Sequence, residues 1–156
     1  MKNSSKFIFF SSSEIYGDPN KDNIPTKEDY RGNVSTSGTR ACYDESKRLG
    51  ETLCYIYNKE YNLHTNCIRP FNIYGPGMKK NDYRVLPNFA QQIKKGRKLK
   101  VYGSGEQTRT YCYIVDAIIG FFKVFVKANK NYSRAKPSCE DNGMVGCVHP
   151  VSYEKV

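Results

Sequence analysis

The stretch from Phe7 to Gly17, Phe-Ile-Phe-Phe-Ser-Ser-Ser-Glu-Ile-Tyr-Gly, decides the fold because an apolar run leads directly into hydroxyl side chains and a turn. A short apolar run bounded by turn residues is typical of a buried strand. We therefore predict a strand from Lys6 to Ser11 and a loop from Ser12 to Asn33. The rest of the chain predicts alternating elements: helices at Ala41–Tyr61, Val85–Lys95 and Asp116–Lys127, strands at His64–Arg69 and Leu99–Tyr102, a loop at Asn72–Arg84 and an extended piece at Gln107–Tyr113.

Tyr43 and Lys47 are four residues apart within the first predicted helix. Residues at this spacing lie one above the other, so the Lys47 ammonium can stabilise a phenolate at Tyr43. A free tyrosine has a pKa of about 10 and is a poor base at neutral pH without such help. A serine hydroxyl nearby can hold an alcohol in line while Tyr43 takes its proton and a cofactor takes its hydride. The pattern predicts alcohol oxidation, although spaced aromatics and lysines also occur on ordinary surface helices.

Three segments give this pair a context. They are Gly38–Cys54 with Arg-Ala-Cys-Tyr-Asp-Glu-Ser-Lys-Arg, Arg69–Pro76 with Arg-Pro-Phe-Asn-Ile-Tyr-Gly-Pro, and Gly103–Arg109 with Gly-Ser-Gly-Glu-Gln-Thr-Arg. With them, the chain resembles the extended short-chain dehydrogenase/reductase family of nucleotide-sugar epimerases, dehydratases and decarboxylases, closest to its UDP-glucuronate decarboxylase-like members. The resemblance implies an α/β fold, a partial Rossmann-like doubly wound parallel sheet that joins the C-terminal part of the NAD domain to part of the substrate lobe. It also implies NAD as cofactor and a nucleotide sugar, expected to be a UDP-sugar, as substrate.

The cofactor motif of this family is missing from the sequence. Family members begin with a Gly-x-x-Gly-x-x-Gly turn whose backbone amides hold the pyrophosphate of the cofactor, and no such spacing occurs here. We therefore expect the first strands and helices of the sheet to be absent, and a partner chain to carry the Gly-rich half. Residues 1–128 are predicted to form a partial epimerase/dehydratase domain, and the polar, turn-rich residues 129–156 a poorly structured tail.

The resemblance implies three sets of site residues. Catalytic roles fall on Ser12, Glu14, Tyr43 and Lys47; cofactor binding on Ser11, Tyr43, Lys47 and Pro70; and substrate binding on Ser13, Asn72, Tyr102 and Arg109. Ser12 is expected to hydrogen-bond the sugar hydroxyl, Tyr43 to act as the base, and Lys47 to bind the nicotinamide ribose. Arg109 suits the diphosphate or a sugar carboxylate because its guanidinium pairs bidentately with either anion.

Ser13 and Glu14 bear on the step that follows oxidation. A 4,6-dehydratase uses two adjacent carboxylates in a Thr-Asp-Glu loop, and Ser13 stands in place of the first, so elimination is disfavoured. A decarboxylase needs only the C4 ketone, because the resulting β-keto acid loses carbon dioxide with little further acid catalysis. Glu14 would then position water or protonate the enolate carbon. A 4-epimerase needs the same Ser, Tyr and Lys set and stays open.

A catalytically inactive fragment is the alternative from another class of function. The enzymes of this family pair through the helix that carries Tyr43, so the resemblance also implies a homodimer. Such a fragment would serve as a dimerisation or interaction module. The two hypotheses differ in whether NAD binds.

Composition bounds the remaining function classes. The 156 residues carry a formal net charge of +10, concentrated at Lys79, Lys80, Lys94, Lys95, Arg97, Lys98 and Lys100. A nucleic-acid partner would explain this charge, but the run surrounds an amphipathic helix with its lysines on the solvated side. A nucleotide-sugar diphosphate also attracts positive charge, and we expect no nucleic-acid partner.

Cysteines and hydropathy point to a reduced, membrane-free setting. The six cysteines form no Cys-x-x-Cys pair, and Cys42, Cys54, Cys67 and Cys112 fall in predicted helices and strands, where free thiols are usually buried. Cys139, Cys147 and His149 lack a fourth ligand, so no metal is expected. No apolar run is long enough to span a membrane, and the first residues lead into a strand rather than a secretory signal. The prediction is a cytoplasmic protein without a membrane partner.

Overall fold

A computed structural model describes residues 5–127 and 148–151 of the chain. The strands are β1 (Phe7–Phe10), β2 (Thr65–Pro70), β3 (Asn72–Tyr74), β4 (Tyr111–Tyr113) and β5 (Val148–Val151), and the helices are α1 (Ala41–Tyr61), α2 (Val85–Lys94) and α3 (Ile114–Lys127). Single 3-10 turns occupy Ser13–Tyr16 and Lys21–Asn23. Strands alternating with helices give the predicted α/β architecture.

Two small sheets carry the strands of the described residues. In the first, the order is β1-β2-β5, with β1 and β2 parallel and β5 antiparallel to β2. Phe7 lies opposite Thr65, and Phe10 lies opposite Ile68. In the second sheet, β3 and β4 are parallel, with Ile73 opposite Cys112. The parallel pair β1 and β2 with α1 between them is the βαβ unit expected of a Rossmann-like sheet.

Helices cover both faces of the first sheet. Phe9 packs on α1 at Gly50, where an added Cβ would lie 2.2 Å from the ring of Phe9. The next side chain along β1, Phe10, meets Phe121 of α3 edge to face, with ring centroids 5.0 Å apart. Because successive side chains of a strand point to opposite faces, α1 and α3 lie on opposite sides of the sheet. The core between them includes the buried residues Cys54, Cys67, Ile68 and Ala117.

The structure corrects several local predictions. Leu99–Tyr102 was expected to be a strand and is not, because no neighbouring strand in the described part pairs with it and Val101 is 56% exposed. The predicted loop at Asn72–Arg84 instead begins with β3, which exists because β4 supplies its ladder partner. Cys42 is exposed rather than buried, whereas Cys54, Cys67 and Cys112 are buried free thiols.

Some predictions concern residues that the structure does not describe. The predicted tail, 129–156, lies outside the described residues except for Val148–Val151, which forms β5. Cys139 and Cys147 also lie outside them. Within the described ranges, no group of three or more His, Cys, Asp or Glu side chains is arranged to hold a metal ion. None of the helices in the same ranges is long and apolar enough to cross a membrane.

Candidate active site

A cleft of about 1360 Å³ opens where β1 and β2 end. Its walls come from the turn after β1, the start of α1, the end of β2, β3, α2 and the segment that leads into β4. Eight of the residues predicted for the site line it: Ser12, Ser13, Glu14, Tyr43, Pro70, Asn72, Tyr102 and Arg109. Ser11 and Lys47 are not among the lining residues. The fold thus brings together residues that are far apart in the sequence.

The turn after β1 presents hydroxyl and carboxyl groups to the cleft. Ser11 continues the strand pairing, because its N–H donates to the Ile68 carbonyl at 2.8 Å. Its Oγ is buried and has no hydrogen-bond partner among the described residues. Ser12 caps the 3-10 turn, its Oγ accepting a hydrogen bond from the Glu14 N–H at 3.2 Å. This cap turns the chain away from the sheet, so that Ser13 and Glu14 face the cleft.

Tyr43 and Lys47 adopt the arrangement predicted from their spacing. The Lys47 Nζ lies 5.7 Å from the centroid of the Tyr43 ring. The same ammonium donates to the Phe10 carbonyl at 2.8 Å, which holds it at the end of β1. The Tyr43 side chain is 43% exposed, on the cleft side of α1. A cation fixed beside an accessible phenol can stabilise negative charge that develops on the phenol oxygen.

Arg40 is a site residue that sequence reasoning missed. Its Nη2 lies 2.8 Å from Glu14 Oε2, and its guanidinium carbon lies 5.6 Å from the Tyr43 ring centroid. Arg40 therefore links the turn that carries Glu14 to the start of α1. The signal available in the sequence was its spacing, since a residue three positions before Tyr43 lies on the same side of a helix.

The opposite wall of the cleft is basic and partly aromatic. The Asn72 amide donates to the Thr110 carbonyl at 3.1 Å, which joins the first residue of β3 to the residue before β4. Arg109 donates only to the neighbouring Thr108 carbonyl, at 2.7 Å, among the contacts described for its side chain. The Lys100 ammonium lies 5.0 Å from the Tyr102 ring centroid. An exposed aromatic ring beside one cation, in a cleft that Arg109 also lines, suits a planar base and the phosphates attached to it.

Behind the cleft, Arg69 is buried in a hydrogen-bonded network. It pairs bidentately with Glu51, with Nε–Oε1 at 2.8 Å and Nη2–Oε2 at 2.6 Å. Its Nη1 donates to the Tyr16 hydroxyl at 2.8 Å and to the Glu28 carbonyl oxygen at 2.7 Å. Burial alone lowers the pKa of Arg69, but the hydrogen bonds to Glu51 and the charge of that carboxylate raise it overall. Arg69 is therefore a permanent cation in the protein interior.

Burial also raises the pKa values of Tyr16 and Glu28, the two residues of the loop after β1 that Arg69 contacts. It raises the pKa of the Tyr16 phenol, with the charge of Arg69 partly offsetting the shift. It raises the pKa of the Glu28 carboxyl to about 7, again against the attraction of Arg69. At neutral pH, Tyr16 is thus a neutral hydroxyl, and Glu28 is divided between its two protonation states.

Comparison with known proteins identifies relatives of the chain. A profile of the NAD dependent epimerase/dehydratase family matches residues 1–135. UDP-glucuronic acid decarboxylase 1 of Xenopus tropicalis is 47% identical over 115 residues, which cover 74% of this chain and 27% of the relative. UDP-glucuronic acid decarboxylase 6 of Arabidopsis thaliana is 41% identical over 119 residues, which cover 76% of this chain and 34% of the relative.

Solved structures agree with these relatives. UDP-N-acetylglucosamine 4-epimerase from Methanobrevibacter ruminantium M1, in complex with UDP-N-acetylmuramic acid, matches with a TM-score of 0.68 and 29% identity, over 81% of this chain and 38% of that one. UDP-glucuronic acid 4-epimerase from Bacillus cereus, in complex with NAD, matches with a TM-score of 0.66 and 29% identity, over 78% of this chain and 37% of that one.

The present chain spans well under half the length of each of these proteins. Within that span, the matches confirm the family resemblance and the partial Rossmann-like α/β fold expected from the sequence. The chain belongs to the NAD dependent epimerase/dehydratase family.

Proposed function

We propose that this chain carries the proton-transfer and substrate-binding part of an NAD-dependent enzyme that acts on a UDP-sugar. The reaction oxidises the C4 hydroxyl of the sugar and then decarboxylates or epimerises the keto sugar. One observation carries the proposal: Ser12, Tyr43 and Arg109 line a single cleft, with the Lys47 ammonium 5.7 Å from the Tyr43 ring. The names of the relatives, UDP-glucuronic acid decarboxylases and UDP-sugar 4-epimerases, support it.

Tyr43, Lys47 and Ser12 each have a separate role in the oxidation step. Lys47 stabilises the phenolate form of Tyr43, and this phenolate takes the proton of the C4 hydroxyl. The Ser12 oxygen already accepts a hydrogen bond from the Glu14 N–H, so its own O–H is left to orient the sugar oxygen. When bound, NAD accepts the hydride from the sugar carbon.

The residues present fit the nicotinamide end of this cofactor. The buried Ser11 Oγ has no hydrogen-bond partner among the described residues, and a buried hydroxyl of this kind usually meets a ligand or water. Lys47 uses one of its three N–H donors on the Phe10 carbonyl, which leaves donors for a ribose. Pro70, at the end of β2, lines the cleft as well.

Decarboxylation is the second step that we favour. The turn after β1 supplies a single carboxylate, Glu14, whereas elimination calls for two. Arg40 holds that carboxylate at 2.8 Å, where it can position the water that protonates the enolate carbon once carbon dioxide has left. Arg109 and Lys100 supply positive charge for the diphosphate and for a sugar carboxylate. Epimerisation would use the same groups, and its product, the 4-epimer of the substrate, distinguishes it from decarboxylation.

Assembly and location belong to the same proposal. We expect a homodimer, or a partner chain with the Gly-rich half, because α1 leaves Leu49, Leu53 and Ile56 between 40% and 59% exposed. Such an apolar helix face is typical of a surface that another helix covers. The same face favours a second candidate function, a non-catalytic pairing module. We also expect the protein to act in the cytoplasm.

A turnover assay tests the proposal directly. The purified chain is incubated with NAD and UDP-glucuronate, and released carbon dioxide and the 4-epimer of the substrate are both measured. We expect carbon dioxide to form, and Tyr43→Phe to lower the rate by roughly 10²- to 10⁴-fold because the proton acceptor is lost. Tyr61→Phe, on the same helix and 65% exposed, is the matched control and should leave the rate unchanged.

Two outcomes would contradict this proposal in different ways. Tyr43→Phe with the wild-type rate would show that Tyr43 is not the base. A folded wild-type chain without turnover would favour the pairing module.

A further inference from the structure

Arg69 connects the two segments that carry the proposed catalytic groups, although it does not line the cleft. It is 8% exposed and lies at the end of β2, one residue before Pro70. Its guanidinium donates four hydrogen bonds, two to Glu51 and one each to the Tyr16 hydroxyl and the Glu28 carbonyl oxygen. A buried cation with this many partners fixes the relative positions of the groups it contacts.

One set of contacts leads to the turn after β1. Tyr16 is the last residue of the 3-10 turn that begins at Ser13, and it is 2% exposed. Its hydroxyl accepts from Arg69, and the guanidinium carbon lies 5.1 Å from its ring centroid. Since Tyr16 shares a single four-residue 3-10 turn with Ser13 and Glu14, anchoring Tyr16 also restricts where those two residues point.

The other set of contacts leads to α1. Glu51 lies four residues after Lys47 and eight after Tyr43, so the three side chains share one side of the helix. The bidentate pair from Arg69 to Glu51 therefore attaches the end of β2 to the same face of α1 that presents the proposed base. A lysine could not make both bonds, because its ammonium is a single point of charge.

We propose that Arg69 is a positioning residue of the active site, which holds the Ser13–Tyr16 turn against α1 through Tyr16 and Glu51. This proposal rests on the proposed function for its effect on catalysis. Its structural part, the fixing of the turn, stands on the contacts alone. Arg48 assists at the same loop, because its Nη1 donates to the Ile15 and Arg31 carbonyl oxygens, each at 2.9 Å.

The test uses four variants of the full chain. Tyr16→Phe removes only the hydroxyl that accepts from Arg69, and Arg69→Met removes the whole network. Arg69→Lys keeps the charge without the bidentate geometry. Arg97→Met makes the same chemical change as Arg69→Met at an exposed position of the basic segment. If Arg69→Met does not fold, Tyr16→Phe alone still tests the proposal.

Amide hydrogen exchange measures how stably the Ser13–Tyr16 turn is formed, and it does not require an active enzyme. The Ile15 N–H donates to the Ser12 carbonyl at 3.3 Å and the Gly17 N–H to the Glu14 carbonyl at 3.0 Å, so both report on the turn. In Tyr16→Phe, we expect these two amides to exchange about tenfold faster while the α1 amides keep their rates. Unchanged exchange at Ile15 and Gly17, or the same acceleration in α1, would overturn the proposal.

Steady-state kinetics measure the effect on the reaction. We expect Tyr16→Phe and Arg69→Met each to lower kcat by about tenfold to a hundredfold, with KM for UDP-glucuronate little changed, because the groups are displaced rather than removed. A fifth variant that combines Tyr16→Phe with Arg69→Met should lose no more activity than Arg69→Met alone. Arg69→Lys should recover part of the loss, and Arg97→Met should match the wild type. Additive losses would overturn the proposal, whereas an inactive wild type would refute the proposed function and leave hydrogen exchange to decide on Arg69.

Discussion

At the scale of single residues, the site depends on charges that are held in place by backbone carbonyl groups. Lys47 is fixed to the Phe10 carbonyl and Arg69 to the Glu28 carbonyl. Such bonds keep long, flexible side chains in one conformation before any ligand arrives, and preorganised charges of this kind contribute most to catalysis. The Arg69 network also contains a carboxyl group, Glu28, that changes its protonation near neutral pH.

Glu28 should therefore make the stability of the protein depend on pH. Burial raises its pKa from 4.5 to about 7 in the folded chain, so its contribution to folding is fully present below pH 4.5 and is lost as the pH rises through 7. We expect the free energy of unfolding to fall by about 1 kcal/mol from pH 5 to pH 8, after allowance for partial exposure of the group. Urea unfolding of Glu28→Gln should lack this decrease.

Glu106→Gln, which changes an exposed carboxyl group, is the control and should keep the wild-type pH dependence. A wild-type chain whose stability rises between pH 5 and pH 8 in step with Glu28 ionisation would contradict the account.

The sequence predicted the local contact of the candidate site and missed its long-range contacts. Tyr43 and Lys47 are local partners on one helix, so their spacing was enough. Arg40 meets Glu14 across 26 positions of sequence, and Arg69 meets Tyr16 across 53. Contacts of this kind depend on how β1, α1 and β2 pack, which a pattern within one element does not contain.

At the scale of elements, α1 is the organising unit of the fold. Both its ends, Ala41 and Tyr61, were predicted, because a long periodic segment is a strong signal. The structure adds that Asn62, just after the helix, is in the left-handed conformation that often ends helices. The short strands were not predictable in the same way. β3 has three residues and exists only because β4 pairs with it, whereas Leu99–Tyr102 has strand-like residues and no partner in the described part of the chain.

The contact between α1 and β1 should tolerate no side chain at Gly50. A Cβ there would lie 2.2 Å from the Phe9 ring, and the backbone of α1 would have to move away from the strand. We expect Gly50→Ala to lower the free energy of unfolding by about 1–3 kcal/mol, measured by urea denaturation, despite the better helix propensity of alanine.

Adding Phe9→Leu should restore part of this loss, because the smaller side chain makes room for the new methyl group. If Gly50→Ala stabilised the chain, as alanine does in an open helix position, the close packing of α1 on β1 would be refuted.

At the scale of the whole molecule, the cleft gathers residues from Ser12 to Tyr111, almost the full described length before α3. The wall of the cleft with Lys100, Tyr102 and Arg109 is basic, in keeping with the formal net charge of +10, and we propose that this wall attracts the dianionic UDP-sugar. The exposed apolar side chains Leu49, Leu53 and Ile56 of α1 lie outside the cleft. The proposed ligand binding and the proposed pairing would therefore use different surfaces and can be measured separately.

Calorimetric titration of the folded chain with NAD, and then with UDP-glucuronate in the presence of NAD, tests the central claim most directly. The account predicts saturable binding of both ligands, with UDP-glucuronate binding weakened at least tenfold by Arg109→Met, because a charged hydrogen bond to the substrate anion is lost. Arg97→Met should bind as the wild type does. A chain that is folded by circular dichroism and binds neither ligand would contradict the account.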